Sequence, residues 1–159
     1  MRDIISYMLL AKNGRDLTSF QQIYYKMGLS KGIYQHVERN LKLFDSVFLC
    51  VASIAGISDY KRNQMKYYHS AFQRMYRMKP NKAIAFILDT LGYEHYIENR
   101  LNDGFTKTNA YQKINSAICL AEGVETIEEY LYKLHDMKQQ IEEQKNVDPN
   151  ANIVLSTLH

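Results

Sequence analysis

The stretch TIEEYLYKLHDMKQQIEEQK, Thr126 to Lys145, decides the fold class. Ile127, Tyr130, Leu131, Leu134, Met137 and Ile141 recur at spacings of three and four, which places them on one side of an α-helix and leaves the acids and lysines on the other. Thr126 opens it, and Glu125, Glu128 and Glu129 read as its first turn, where carboxylates favour the helix dipole.

The same periodicity extends over almost the whole chain. Ile4, Ile5, Met8 and Leu9 form a stripe that stops at Asn13-Gly14, after which Asp16 or Thr18 caps a helix burying Phe20, Ile23 and Tyr24. Gly28 marks a turn, and Ser30 caps a helix carrying Ile33, Tyr34 and Val37. Asp45 starts an apolar helix through Phe48, Leu49, Val51 and Ile54 that is expected to be central. Asp59 opens a long helix to about Met78, and Pro80 suits the first turn of the next, in which Ala83, Ile84, Ile87 and Leu88 face inward as far as Gly92. The short helix YEHYIENRL follows. Past the turn Asn102-Asp103-Gly104, Thr106 or Thr108 caps a helix with Tyr111, Ile114, Ile118 and Leu120 inward, ending near Gly123. The reading is all-α, an irregular multi-helix bundle. One short terminal β-strand is expected, Ile153 to Leu158, after the turn-rich NVDPNAN; a chain that finishes on such an unpaired strand reads as cut from a longer protein.

With 159 residues, two prolines and seven glycines, the chain suits one helical unit. No apolar run approaches the about 20 residues of a membrane span, so a cytoplasmic protein without membrane contact is expected. Cys50 and Cys119 lie apart in apolar runs and read as buried, reduced thiols, with neither metal nor disulfide implied. His36, His69, His95 and His135 lack metal-ligand spacing, and there is neither a Gly-x-x-x-x-Gly-Lys-Ser/Thr phosphate loop nor an Asp-Glu pair after a strand. No catalytic residue is assigned, and no cofactor is expected in this chain.

Charge is uneven. Residues 1 to 79 carry 13 Lys and Arg against 5 Asp and Glu, while residues 80 to 159 carry 7 against 12, so the net +3 divides into +8 and −5. A basic half suits phosphate binding, although solvated helix surfaces produce the same asymmetry. Within it, KMGLSKG (Lys26 to Gly32) places Gly28 and Leu29 before a helix starting at Ser30, with Lys26 and Lys31 on either side. Free N–H groups and the helix dipole there face any anion outside the turn. The residues alone leave both a plain connection and a phosphate clamp open. A second candidate is the polar stripe Arg62, Lys66, His69, Gln73 and Arg77, about 120° from the apolar stripe Met65, Tyr68, Phe72 and Met75. It is a phosphate track or a solvated face, and Tyr67, Tyr68 and Tyr76 stack on bases or pack internally.

Several stretches resemble superfamily 1 DNA helicases of the UvrD/Rep/PcrA type. Thr157, Leu158 and His159 resemble the opening of the family's Thr-x-His-x-x-Lys-Gly-Leu-Glu motif. RDIISYMLLAKNGRDLTSFQQIYY (Arg2 to Tyr25) is similar to the family's helix pair in which a Tyr-Leu-Arg-Leu-like end precedes an Asp-x-x-x-Phe helix. ILDTLGYEHYIENRL (Ile87 to Leu101), and QKINSAI followed by ETIEEYLYKL, resemble later helices; Asn115 takes the place of the family Asn, whereas Gln112 stands at its Arg position and Ala117 or Ile118 at its acidic one.

The resemblance implies residues 1–14 as a helix from the margin of the second motor domain (2A), 15–149 as the helical 2B subdomain, and 150–159 as a strand returning to 2A. It implies a parent enzyme that uses ATP and Mg to move 3′ to 5′ on DNA, in which this piece holds or regulates duplex. At KMGLSKG the family places a Pro-x-Arg-Gly-Ile-Gly turn that grips duplex backbone without reading bases; here Gly-Leu-Ser stands for Gly-Ile-Gly and the Pro is absent. The implied partners are DNA, the remaining helicase domains and a regulatory protein, and the implied DNA contacts are Lys26, Gly28, Leu29, Ser30, Lys31, Arg62, Lys66 and Arg77. The alternative is a free-standing helical protein–protein interaction module.

Overall fold

The computed structural model describes residues 1–147. Nine α-helices lie among them: α1 (Arg2–Lys12), α2 (Leu17–Ile23), α3 (Lys31–Asn40), α4 (Val47–Ala52), α5 (Asp59–Tyr76), α6 (Pro80–Leu88), α7 (Tyr93–Arg100), α8 (Gly104–Ala121) and α9 (Ile127–Val147). Two 3₁₀ turns, Tyr24–Met27 and Leu41–Leu43, follow α2 and α3. The described residues are all-α, and the expected strand at Ile153 to Leu158, with Thr157 and His159, lies outside them. No described helix is long and apolar enough to cross a membrane.

Local chemistry sets most boundaries. Asp16 accepts from Ser19 N–H and Ser30 from Ile33 N–H, closing the starts of α2 and α3, and Pro80 occupies the first turn of α6. Two starts differ from the sequence reading. Ser46 rather than Asp45 leads α4 as its cap, and α8 begins at Gly104 under an Asp103 cap, ahead of Thr106 and Thr108; α5 begins at Asp59 as expected, capped by Ser58. In each case a hydroxyl or carboxylate just before the first turn captures its free N–H groups.

The core is organised around α1, which packs against α2, α5, α6 and α9, so the helix expected at a domain margin sits at the middle of the body. Ile4, Tyr7, Met8 and Leu10 are buried there with Phe20, Phe48, Met65, Phe72, Met75, Ile84 and Ile87. Apolar α4 lies against α3 and α5 instead. On α8 the inward face is Ile114, Ala117 and Ala121, whereas Ile118 and Cys119 are exposed. α8 packs against α6 and α7, and from α9 Tyr130 O–H donates to the Ala117 carbonyl at 2.6 Å. Cys119 is therefore a surface thiol, and only Cys50 is buried as expected.

Candidate nucleic-acid interface

The turn between α2 and α3 is built from its backbone outward. The 3₁₀ turn Tyr24–Met27 ends on Gly28, whose φ of 77° is left-handed and open to glycine without strain. Leu29 N–H then bonds the Tyr24 carbonyl at 3.2 Å, closing the turn, and its side chain is buried in the core. With Leu29 anchored inward, Gly28, Ser30, Lys31 and Gly32 face solvent. Ser30 uses its hydroxyl on Ile33 N–H at 3.3 Å, so the N–H groups of Lys31 and Gly32 remain turned outward at the positive end of α3. Lys31 makes no ion pair among the described residues.

Lys26 behaves differently from the flanking surface cation the sequence suggests. Its ammonium turns inward, pairing with Asp3 of α1 and donating to the Gln22 carbonyl at 3.3 Å, with a side-chain exposure of 6%. Asp3 also accepts from Gln22 Nε2 at 3.2 Å and from Tyr93 O–H at 2.7 Å. Burial alone would raise the Asp3 pKa, but Lys26, Tyr93 and Gln22 together hold it below the ordinary carboxylate value. Burial, then the Asp3 charge, pushes the Tyr93 phenol strongly upward, fixing it as a donor. Lys26 is thus the strut that ties the turn to α1 and α7.

Fold proximity adds residues that no local pattern marks. A cleft of about 250 Å³ runs beside Gly28, with Tyr25, Gly92, His95, Tyr96 and Arg100 in its walls. Gly92 (φ 76°) precedes α7 without a side-chain cap, and Arg100 and His95 are exposed on that helix. Arg100 lies far from Gly28 in sequence, and no motif marks it. Gln64, whose Oε1 is buried and without a partner among the described residues, lines the same cleft.

The polar stripe of α5 is divided by its packing. Arg62 Nε donates to the Ala52 carbonyl at 3.0 Å, satisfying the C-terminus of α4, and its guanidinium lies 3.4 Å from Asp59. His69 Nδ1 meets Ser46 Oγ at 2.8 Å. Both belong to the seam between α4 and α5, while Lys66, Gln73 and Arg77 are exposed. Of the three tyrosines singled out, Tyr68 is buried, Tyr76 half-buried and Tyr67 exposed. No protein-family model, curated protein or solved structure matches this chain.

Proposed function

We propose that the chain is the helical 2B subdomain of a UvrD/Rep/PcrA-type ATP-dependent DNA helicase, and that it grips duplex backbone through the turn at Gly28. The observation that carries this reading is the outward-facing start of α3: a left-handed Gly28, an anchored Leu29, and the exposed N–H groups of Lys31 and Gly32 beside a Lys31 ammonium that makes no ion pair among the described residues. Such a terminus receives a phosphate through fixed donors and dipole without reading bases. Arg100, across the cleft from Gly28, adds a cation to its rim. Leu29 acts here as the anchor rather than as a contact, and Lys26 as the strut beneath it. Of the α5 cations named for DNA contact, Lys66 and Arg77 are exposed and make no ion pair among the described residues.

In this reading ATP and Mg are handled by the parent's motor domains. Thr157 and His159 open the helicase motif of the second of these. A cleft of about 230 Å³ between α1 and α9, walled by Ile5, Leu9, Leu131 and Leu134, offers an apolar seat for that neighbouring domain. The same cleft is what favours the second reading, a protein–protein interaction module.

The two separate at the gene. A coding sequence that continues from His159 into Lys-Gly-Leu-Glu within a few codons supports the helicase; a stop codon or unrelated sequence there favours the interaction module.

A further inference from the structure

We infer that the outer face of α5 is a second nucleic-acid site, built to hold an unpaired single strand by stacking its bases on Tyr60 and Tyr67. At about 100° per residue, the buried Met65, Tyr68, Ala71, Phe72 and Met75 fix the inward direction of this helix. The opposite arc then carries Lys66, Gln73 and Arg77, with Tyr60, Tyr67 and Arg74 along one shoulder. Arg62 and His69 occupy the other shoulder and are used up against α4.

Three observations point to one kind of occupant. Tyr60 is 77% exposed and Tyr67 47%, so both rings have surface open to a stacking partner. They stand two turns apart on the same shoulder, about 10 Å along the axis, so each presents a separate face to a separate base. Arg74 places its guanidinium 5.8 Å from the centroid of Tyr67 and 5.9 Å from that of Phe86, which holds a cation beside the ring instead of leaving it to swing in solvent. The charge is also one-sided. Residues 60 to 79 contain no acid, and Asp59, the carboxylate at the start of the helix, pairs with Arg62. Lys66, Arg74 and Arg77 form no ion pair among the described residues.

A double helix hides the faces of its bases, so exposed rings gain nothing from it; a single strand offers bases to stack and phosphates for the adjacent cations. The inference rests on the proposal that DNA is the partner of this chain, but it concerns a different face and a different form of DNA from the Gly28 turn.

The test uses a fluorescently labelled short oligothymidylate and a blunt duplex, titrated at low salt by fluorescence anisotropy. The parent chain should bind both. Tyr60→Ala with Tyr67→Ala should weaken oligothymidylate binding about tenfold or more while leaving duplex binding and helical circular dichroism unchanged. Tyr60→Phe with Tyr67→Phe, which keeps the rings, should retain it. Lys31→Glu should have the reverse pattern, losing duplex and keeping the single strand. The inference is overturned if the alanine pair binds oligothymidylate as the parent does, if the phenylalanine pair fails as the alanine pair does, or if the parent binds no oligothymidylate. Duplex binding indifferent to Lys31→Glu, with the tyrosine effect intact, would instead remove the Gly28 clamp and leave this site standing.

Discussion

Replacing Asp3 with alanine tests the strut beneath the Gly28 turn. Asp3 gathers Lys26, Gln22 and Tyr93 onto one carboxylate, joining α1, α2 with its 3₁₀ turn, and α7. Asp3→Ala leaves the Lys26 ammonium, 6% exposed, with only the Gln22 carbonyl, and deprives the Tyr93 hydroxyl and the Gln22 amide of their acceptor. Removing one member of a buried pair costs roughly 3–5 kcal/mol. Water reaches 23% of the Asp3 side chain, so the low end applies, about 3 kcal/mol. For a chain of this size that corresponds to a fall in Tm of about 6–12 °C.

Circular dichroism at the helical minimum, followed through thermal unfolding, measures it. The double variant Asp3→Ala with Lys26→Met should lose less than the sum of the two single changes, because it removes the stranded charge with its partner. The pH dependence has a definite sign. The folded-state pKa of Asp3 is lowered, so its contribution is complete above the ordinary value of about 4 and is lost as pH falls through the folded value; Asp3→Ala should therefore flatten the acid limb of the stability curve. A single-variant shift below about 2 °C, or strict additivity in the double variant, would refute the strut.

Three further outcomes are expected. A thiol reagent should modify one cysteine in the folded chain, Cys119, and reach Cys50 only on unfolding; rapid native reaction of both thiols would contradict the packing of α4. Ser46→Ala removes the cap on Leu49 N–H and the partner of His69 Nδ1, and denaturant titration should show a loss of about 1–2 kcal/mol, whereas no loss would mean the cap and its seam with α5 are redundant. The chain contains no phosphate loop, so it should turn over no ATP with or without DNA; turnover that survives mock-purification controls would contradict the assignment of ATP chemistry to the parent's other domains.

Signals that act over a few residues were legible in the sequence. Asp16 and Ser30 as caps, Pro80 at a first turn and left-handed Gly28 all follow from local chemistry, and the apolar stripe of α5 is buried as its periodicity requires. Legibility ended where a residue's role depends on a distant partner. Lys26 reads as a surface cation beside a turn because nothing local announces Asp3 in α1. Arg62 and His69 share a polar stripe with Lys66, but α4 docks along that shoulder and takes them into a seam. On α8, weighting by hydrophobicity favours Ile118, whereas the assembled helices bury Ala117 and Ala121 and leave Ile118 exposed. The central place of α1 and the approach of Arg100 to Gly28 are likewise properties of the assembled helices, not of any stretch of chain.

The most direct test of the account is duplex binding by the Lys31→Glu variant, with Lys26 left in place so that the fold is undisturbed. The parent chain should bind a short duplex weakly and without sequence preference, with a slope of log affinity against log salt of about −2 to −4, as expected for roughly 2 to 4 neutralised phosphates. Lys31→Glu should abolish that binding while preserving the thermal transition. A Lys31→Glu chain that binds the duplex at low salt as tightly as the parent would contradict the claim that the start of α3 holds DNA.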